Sequence, residues 1–536
     1  MGGARAAHPE RVEMRNRLLF AKDFLWLVPA CLLLGGWLAS VQAGAWWIGW
    51  LGFSALSIAG FCALVVATRW ANPVNKFAVI VALAFLLRFA GGVAAYLILP
   101  VHGYEDEDDR AGFVFTDARR RDAQAWELAG SDRPIADAFQ RNYAYDQYGG
   151  LLAFSGMIYR YFSPDAHRPL MLVLVTAMVA ALGAPFLWRA SAKMFGEKVA
   201  WASVWIFALY PESVLLGGSA MREPYIMTFS AVALWGFVEW QSSSEPKRYA
   251  WFWLGAGLLG MILVSPSVAL FTLVIFAGWM FFSRKQAGIS WQAVLVLAAV
   301  FLAGLFFLSA SLNRSGGFDA ASPLGVINDW FKLAVKWDAY QLERESGWVQ
   351  KLFDEMPAWM RLPFVMFYGV LRPLLPAGLV APMLPVWKVI TILRGLGWYA
   401  LLPLLVLSFM AGPVAGVEKK RPLWMWVTLL AWTWILLASL RGGGDDWDNP
   451  RYRALLFVWQ ALMGGYVWVW WRQTRNAWLG RVLLCEAIFV LVFGQWYASR
   501  YWGWGEKLPF LPMVALIGGS WALVAGIGLW LDRRRA

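Results

Sequence analysis

The chain has 536 residues, of which 60% are hydrophobic and 15% are charged, and its formal net charge is +13. An average soluble domain is about 45–50% apolar and about 25% charged, so this composition excludes an ordinary soluble protein. Excess Lys and Arg is typical of the cytoplasmic loops of membrane proteins. The sequence has no RNA- or DNA-binding motif, so we exclude nucleic acid as a partner. The cysteines and histidines lie in no spacing that predicts a disulfide framework or a metal site.

The apolar stretches predict an all-α, multi-pass membrane protein. A helix needs about 20 apolar residues to cross the bilayer, and on this criterion we expect about 14 transmembrane helices. The predicted spans are residues 24–42, 45–68, 77–100, 169–189, 199–217, 224–241, 250–264, 267–283, 290–311, 395–412, 423–441, 454–471, 481–498 and 510–530.

The basic residues between these spans predict their orientation, because Lys and Arg are enriched in cytoplasmic loops. The first 22 residues are basic, as are 419–421 and 533–535. We therefore expect both termini in the cytoplasm, a plasma (inner) membrane location, and two outer-face loops, 101–168 and 312–362. The start resembles a signal peptide, but the apolar stretch that follows at once favours an uncleaved helical hairpin.

Four regions follow from this topology. They are an N-terminus with an added hairpin (1–76), a core with the first outer loop (77–311), a second outer loop with a re-entrant segment (312–394), and C-terminal helices (395–536). Prolines interrupt residues 363–393. A full span there would place the later basic clusters outside, so we interpret the segment as re-entrant, which is allowed where protein covers the backbone.

The first outer loop is rich in carboxylates. Short amphipathic helices are predicted near 118–130 and 134–141, separated at Gly130 and Pro134. The acidic run 105–109 is typical of a solvated face, whereas Asp117 follows the apolar residues 113–115. A carboxylate at the membrane surface can deprotonate a sugar hydroxyl or hold a divalent cation against a diphosphate.

Residues 77–240 resemble the GT-C glycosyltransferases. The residues that carry the resemblance are Asp117-Ala118, Asp122, Ala125, Leu128-Ala129, the Tyr/Gly-rich stretch 143–150, Phe186–Arg189 and the turn 193–196. The family comprises polyprenyl-phosphate-sugar-dependent enzymes related to protein O-mannosyltransferases and the aminoarabinose transferase of lipid A. Arg121 stands where that family usually has an aromatic residue, and Asp117 is followed by alanine rather than by a second acid.

The resemblance implies an inverting glycosyltransferase with a polyprenyl-phosphate-linked sugar donor and a lipid, glycan or protein acceptor. Asp117 matches the position of the family's catalytic base. Asp122, about one and a half helical turns later, would face elsewhere. It is interpreted either as a substrate contact or as a surface charge. No organic cofactor is implied, and a divalent cation is left open.

Basic residues in two later turns are candidates for holding the lipid phosphate. Arg222 and Glu223 lie in the turn after span 199–217, where Arg222 either grips phosphate or pairs with Glu223 or Glu212. Arg451 and Arg453 match an Arg-Tyr element of the superfamily, and the alternative for both is snorkelling to the interface. The second outer loop, 312–362, is either an interfacial helix or an acceptor-binding lid.

Two other functions fit a multi-pass chain. A transporter of lipid-linked glycans places ionisable groups near the bilayer midplane. Here only Arg88 and Glu486 qualify, either paired with each other or with Arg88 bracing the first loop. An O-antigen-type polymerase or ligase shares the topology but commonly uses Arg-rich outer loops, and the first loop here is acidic. Glycosyl transfer therefore remains the leading prediction.

Overall fold

The computed structural model describes most of the chain as α-helix. The residues it describes are 26–72, 74–140, 148–242, 248–283, 322, 325, 357–412, 414 and 421–535. Among them are twenty α-helices, one 3₁₀ helix and no strand. The predicted all-α class is therefore confirmed for this part of the chain.

The N-terminal half contains helices α1 to α12. Their bounds are α1 Trp26–Ser40, α2 Trp46–Ala71, α3 Asn75–His102, α4 Glu107–Arg110, α5 Thr116–Gly130, α6 Gly150–Phe162, α7 Leu170–Phe195, α8 Glu197–Leu209, α9 Pro211–Gly217, α10 Glu223–Ser242, α11 Arg248–Val264 and α12 Pro266–Ser283. The 3₁₀ helix is Ile135–Phe139.

The C-terminal half contains helices α13 to α20. Their bounds are α13 Ala358–Leu371, α14 Leu375–Val380, α15 Pro385–Leu407, α16 Arg421–Gly442, α17 Asp448–Ala454, α18 Phe457–Thr474, α19 Trp478–Tyr501 and α20 Phe510–Arg535.

Several of these helices can cross a membrane. Seven are long and apolar enough, and the number rises to 9 if the bent pairs α8–α9 and α17–α18 are each one span. The chain is thus a multi-pass membrane protein, but the predicted number of about 14 spans is not confirmed. Predicted span 290–311 and the second outer loop up to residue 356, apart from residues 322 and 325, lie outside the described residues.

Helix α7 forms the centre of the bundle, with 89% of its apolar window buried. Helices α2, α3, α8 and α10 pack against it. The residues 180–184 of α7 are small except for one leucine, and small residues let neighbouring membrane helices approach closely. At Gly183, an added Cβ would lie 2.8 Å from the Phe207 ring of α8.

The predicted span 199–217 is bent by 56° between α8 and α9. Pro211 begins α9 and cannot donate a backbone hydrogen bond, so carbonyls at the end of α8 need other donors. Arg88 of α3 supplies them, donating to Phe207 O at 2.9 Å and to Ala208 O at 3.2 Å. Arg88 thus stabilises the bend between α8 and α9 instead of pairing with Glu486.

The proline-rich segment 363–393 forms α13, the short α14 and the beginning of α15. The predicted span 395–412 was placed too late, because α15 begins at Pro385 and ends at Leu407. Proline suits the first position of a helix, where its missing N–H is not needed. Whether α13 and α14 form a re-entrant element stays a prediction.

The first loop, defined from here on as residues 103–169, contains the two helical segments expected from the sequence. They are α5 and the 3₁₀ helix Ile135–Phe139. Two further helices, α4 and α6, precede and follow them. Helix α5 packs on α6 and the 3₁₀ helix, so these three helices of the loop form one packed unit.

Candidate active site

Arg451 of α17 stands at the centre of a polar cluster. Its Nη1 lies 2.8 Å from Asp117 Oδ2, and its Nη2 lies 3.1 Å from Asp448 Oδ1. Its Nε lies 3.5 Å from Glu223 Oε1, which is also 3.7 Å from the Nε of Arg222. The structure thus brings together four predicted residues from three distant parts of the chain, and adds Asp448.

Contacts at the beginning of α5 position Asp117 in its first turn. The hydroxyl of Thr116 donates to Asp108, and the Phe115 ring packs edge-on against Trp447 with centroids 5.8 Å apart. Trp447 lies immediately before α17, the helix that carries Arg451. The Phe115–Trp447 contact therefore brings Asp117 and Arg451 together.

The turn 217–222 places Arg222 and Glu223 close to Arg451. A Cβ at Gly218 would lie 2.6 Å from the backbone oxygen of Arg88 and 2.8 Å from the backbone nitrogen of Gly92. Only glycine allows this close approach to α3. Ala220 adopts a φ of 49°, which is uncommon for residues other than glycine. The turn is therefore held in a strained conformation, a feature that clusters at functional sites.

Glu223 is an unusual member of the cluster because its side chain is 0% exposed. Neither of its carboxylate oxygens has a hydrogen-bond partner among the described residues. The guanidinium groups of Arg222 and Arg451 supply charge but stand too far away for good hydrogen bonds. The carboxylate of Glu223 can therefore accept further hydrogen bonds, and it lies beside the two guanidinium groups of Arg222 and Arg451.

Asp117 is held in its ionised form by its neighbours. Burial acts to raise the pKa of its carboxyl, but the positive charges of Arg451, Arg121 and Arg222 and the hydrogen bond from Arg451 outweigh that effect. Its pKa consequently lies below the usual range of an aspartate. Its side chain is still 48% exposed, so it is accessible to a substrate.

Two predicted site residues lie outside the cluster. Arg453 points away from Arg451, donating to Gly369 O at 3.0 Å and lying over the Trp398 ring with 3.7 Å to its centroid. Asp122 is buried between α5 and α6, where it accepts a hydrogen bond from Tyr159. Residues that lie two or five positions apart on a helix point in different directions, which separates these side chains from their neighbours.

The carboxylates of the site do not form an oxygen cage for a divalent cation. Asp117, Glu223 and Asp448 all face guanidinium groups. In the described part of the chain, no three His, Cys, Asp or Glu side chains are grouped as metal ligands. The guanidinium groups of Arg222 and Arg451 suit an anion such as phosphate. The donor set fits phosphate better than a metal ion.

A buried ion pair that the sequence did not predict lies next to the site. Arg394 forms a buried bidentate ion pair with Glu212, at 2.6 and 3.2 Å, and its guanidinium lies 4.2 Å from the centroid of the Trp447 ring. Glu212 therefore pairs with Arg394 and not with Arg222. A charged residue within an apolar stretch, such as Arg394, is the sequence signal that could have indicated this pair.

Comparison with known proteins gives one likeness, at the level of solved structures. No family model and no curated protein matches this chain. The archaeal oligosaccharyltransferase AglB from Archaeoglobus fulgidus, in complex with an inhibitory peptide and a dolichol-phosphate, matches with a TM-score of 0.37 and 13% identity over 83% of this chain and 55% of that chain. An Archaeoglobus fulgidus oligosaccharyltransferase in the apo form matches with a TM-score of 0.38 and 12% identity over the same shares.

This chain spans about half of the length of AglB.

Proposed function

We propose that this protein is a glycosyltransferase that moves a sugar from a polyprenyl-phosphate-linked donor to an acceptor hydroxyl. The observation that carries the proposal is the cluster of Asp117, Arg222, Glu223 and Arg451. It combines an accessible carboxylate with two cations that suit a phosphate. Asp117 is the base, and Arg451 and Arg222 bind the donor phosphate.

The reaction follows from these positions. Asp117 accepts the proton of the acceptor hydroxyl, whose oxygen attacks the anomeric carbon. The bond from that carbon to the phosphate oxygen breaks, and the polyprenyl phosphate leaves with the electron pair. Attack from the face opposite to the leaving group inverts the anomeric centre. The two arginines stabilise the charge that develops on the phosphate.

Donor binding also changes the basicity of Asp117, because Asp117 forms an ion pair with Arg451. An arginine that holds Asp117 makes it a weak base, because the pair favours the ionised form. A bound phosphate competes for the same guanidinium. Donor binding therefore frees Asp117 and strengthens it as a base at the moment when the substrate is in place.

An apolar cavity beside the cluster suits the hydrocarbon chain of the donor. Its volume is about 760 Å³, and Gly150, Tyr225 and Leu263 lie along its wall with residues of α2 and α7. Tyr225 lies in the first turn of α10, which begins at Glu223, and Arg222 lies over the ring of Tyr148, with 5.7 Å to its centroid. We therefore expect the chain of a lipid phosphate held by the arginines to reach this cavity.

The face, the acceptor and the sugar belong to the same proposal. The basic clusters of the sequence support cytoplasmic termini and a first loop on the extracytoplasmic face of the plasma membrane. The acceptor is a lipid, glycan or protein that reaches that face. The transferred sugar is a hexose or a pentose.

The proposal can be tested with protein in liposomes. Undecaprenyl phosphate is the leaving group of the proposed donors, so its binding is measured first, and turnover is then measured with undecaprenyl-phosphate-linked hexoses and pentoses plus envelope extract as acceptor. We expect Asp117→Asn to bind undecaprenyl phosphate but to lose about 10²-fold or more in turnover, the usual contribution of a general base. The matched control Asp132→Asn, exposed in the same loop, keeps full activity. Full turnover in Asp117→Asn would overturn the assignment.

A further inference from the structure

Asp122 and His167 form a buried contact on the side of α5 that faces away from the cluster. Asp122 is 2% exposed, and its Oδ2 lies 2.6 Å from His167 Nε2. Its other oxygen accepts a hydrogen bond from the hydroxyl of Tyr159 on α6. A buried carboxylate is costly unless it is paired and hydrogen-bonded, so both partners are needed to keep Asp122 inside.

Aromatic rings hold the imidazole of His167 in place. It stacks on Trp126 with centroids 5.3 Å apart and meets Tyr159 edge-on at 5.2 Å. Trp126 lies four residues after Asp122, on the same face of α5. His167 is therefore in contact with two successive turns of the helix that carries Asp117.

The backbone around His167 is tied to the membrane helices. The next residue, Arg168, donates to Ala45 O at 3.0 Å and pairs with Asp165 at 2.6 Å. Asp165 in turn accepts from Ala45 N at 2.7 Å. Ala45 immediately precedes α2, so the backbone next to His167 is fixed relative to the bundle. The contacts of His167 with Asp122 and Trp126 then position α5.

The rotation of α5 about its axis decides where Asp117 points. Successive residues advance by about 100°, so Asp117 and Asp122 lie roughly 140° apart around the helix. Ala125 and Leu128 pack near Gly156 of α6 and hold the helix against it. The polar contacts of Asp122 add a directional constraint on the rotation, because Tyr159 of α6 donates to its Oδ1 and His167 Nε2 lies 2.6 Å from its Oδ2.

We propose that Asp122 and His167 are positioning residues that fix the rotation of α5 and thereby aim Asp117 at the acceptor hydroxyl. This inference rests on the proposed function of Asp117 as the base. A displacement of about 1 Å in a reacting group can cost 10²-fold in rate. The pair acts after the donor is bound, since Arg222 and Arg451 lie on other elements. Its loss consequently lowers kcat and does not raise the KM for the lipid donor, because a displaced Asp117 competes less for Arg451.

A double-mutant cycle in the liposome assay tests the pair. We expect Asp122→Asn and His167→Ala each to lower kcat by about 10- to 100-fold. The double variant is no slower than the slower single variant, because both remove the same contact. His167→Gln, whose amide can still donate to Asp122, recovers much of the loss. Additive losses, or losses that appear in the donor KM, would show that the two residues do not act as one positioning unit.

Amide hydrogen exchange of residues 116–130 gives a readout that needs no turnover. The helix should exchange faster in Asp122→Asn and in His167→Ala, whereas Glu127→Gln, an exposed change on the same helix, leaves exchange and kcat unaltered. Unchanged exchange together with unchanged kcat in the two variants would overturn the inference. A wild-type protein that binds no undecaprenyl phosphate and turns over no donor would instead overturn the proposed function, and the exchange result would still decide the role of the pair in holding α5.

Discussion

Arg451 Nη1 donates to Asp117 Oδ2 across 2.8 Å, which joins the first loop to the short helix α17 near the other end of the chain. The same guanidinium is within 3.5 Å of the buried carboxylate of Glu223. One arginine thus connects the proposed base with the proposed phosphate site. Its removal should therefore change both acid–base behaviour and donor binding.

The first prediction concerns the pH dependence of activity in Arg451→Gln. In the wild type the pKa of Asp117 lies below the usual aspartate value of about 3.9, so this group stays ionised from neutral pH down to that region. Without Arg451, burial is less opposed and the pKa rises. The acid limb of the kcat/KM profile should move to higher pH, while the exposed control Arg110→Gln leaves it in place.

The same shift has a consequence for folding. Because the folded-state pKa of Asp117 is depressed, its ion pair stabilises the protein above the ordinary aspartate pKa, and this contribution is lost as the pH falls through the depressed value.

An acid limb of the kcat/KM profile that is identical in wild type and Arg451→Gln would contradict the electrostatic coupling of the two residues.

The second prediction concerns the buried ion pair of Glu212 and Arg394. Replacing Arg394 by Met leaves the carboxylate of Glu212 buried without its partner, and the cost should be about 3–5 kcal/mol in the free energy of unfolding. The double variant Glu212→Leu/Arg394→Met should recover most of the loss, because it removes both charges. Thermal and chemical denaturation in detergent measure both effects. A single variant as stable as the wild type would show that Glu212 is not held by Arg394.

The third prediction concerns the apolar cavity. Ala67 lies on its wall, so Ala67→Trp should fill part of it and raise the KM for an undecaprenyl-linked donor about tenfold, equivalent to the loss of roughly two buried methylene groups. A geranyl-linked donor, whose short chain does not fill the cavity, should be unaffected. The matched control is Ala55→Trp on the exposed side of the same helix. Equal effects on both donors would exclude the cavity as the chain site.

The fourth prediction concerns topology. With Cys31, Cys62 and Cys485 replaced by alanine, Arg110→Cys should react with a membrane-impermeant maleimide added outside intact cells. Arg533→Cys should react only after permeabilisation. Both positions are exposed, so a failure to react reports the side of the membrane and not burial. Labelling of position 110 from the cytoplasmic side alone would place the first loop, and the site, on the other face.

The sequence was sufficient to predict features that depend only on residues close together in the chain. Long apolar stretches must form helices in a bilayer, because every backbone group there needs an internal partner. The helix α5 and the 3₁₀ helix were likewise predictable, since Gly130 and Pro134 mark their boundary. Asp117 and Arg222 were singled out by their residue types near the ends of apolar stretches, and Asp117 and Arg451 also by the resemblance to GT-C glycosyltransferases.

The sequence was less informative about span number and bends. The predicted span 199–217 is continuous in composition, yet it is a bent pair in the structure, and the predicted span 454–471 begins at the last residue of α17, which meets α18 at a bend of 75°. The bend at Pro211 depends on Arg88, which lies on a helix far away in sequence. A hydropathy pattern contains no information about such a distant donor.

By itself, then, the sequence determined that the chain is a membrane-embedded helical protein whose loops carry acidic and basic side chains. Only the tertiary structure decided which polar side chains meet. Arg451 reaches Asp117 while Arg453, two residues later, lies over Trp398. His167, which has no motif around it, contacts Asp122. The reason is geometric: a helix turns by about 100° per residue, so the partner of each side chain depends on how whole helices pack against one another.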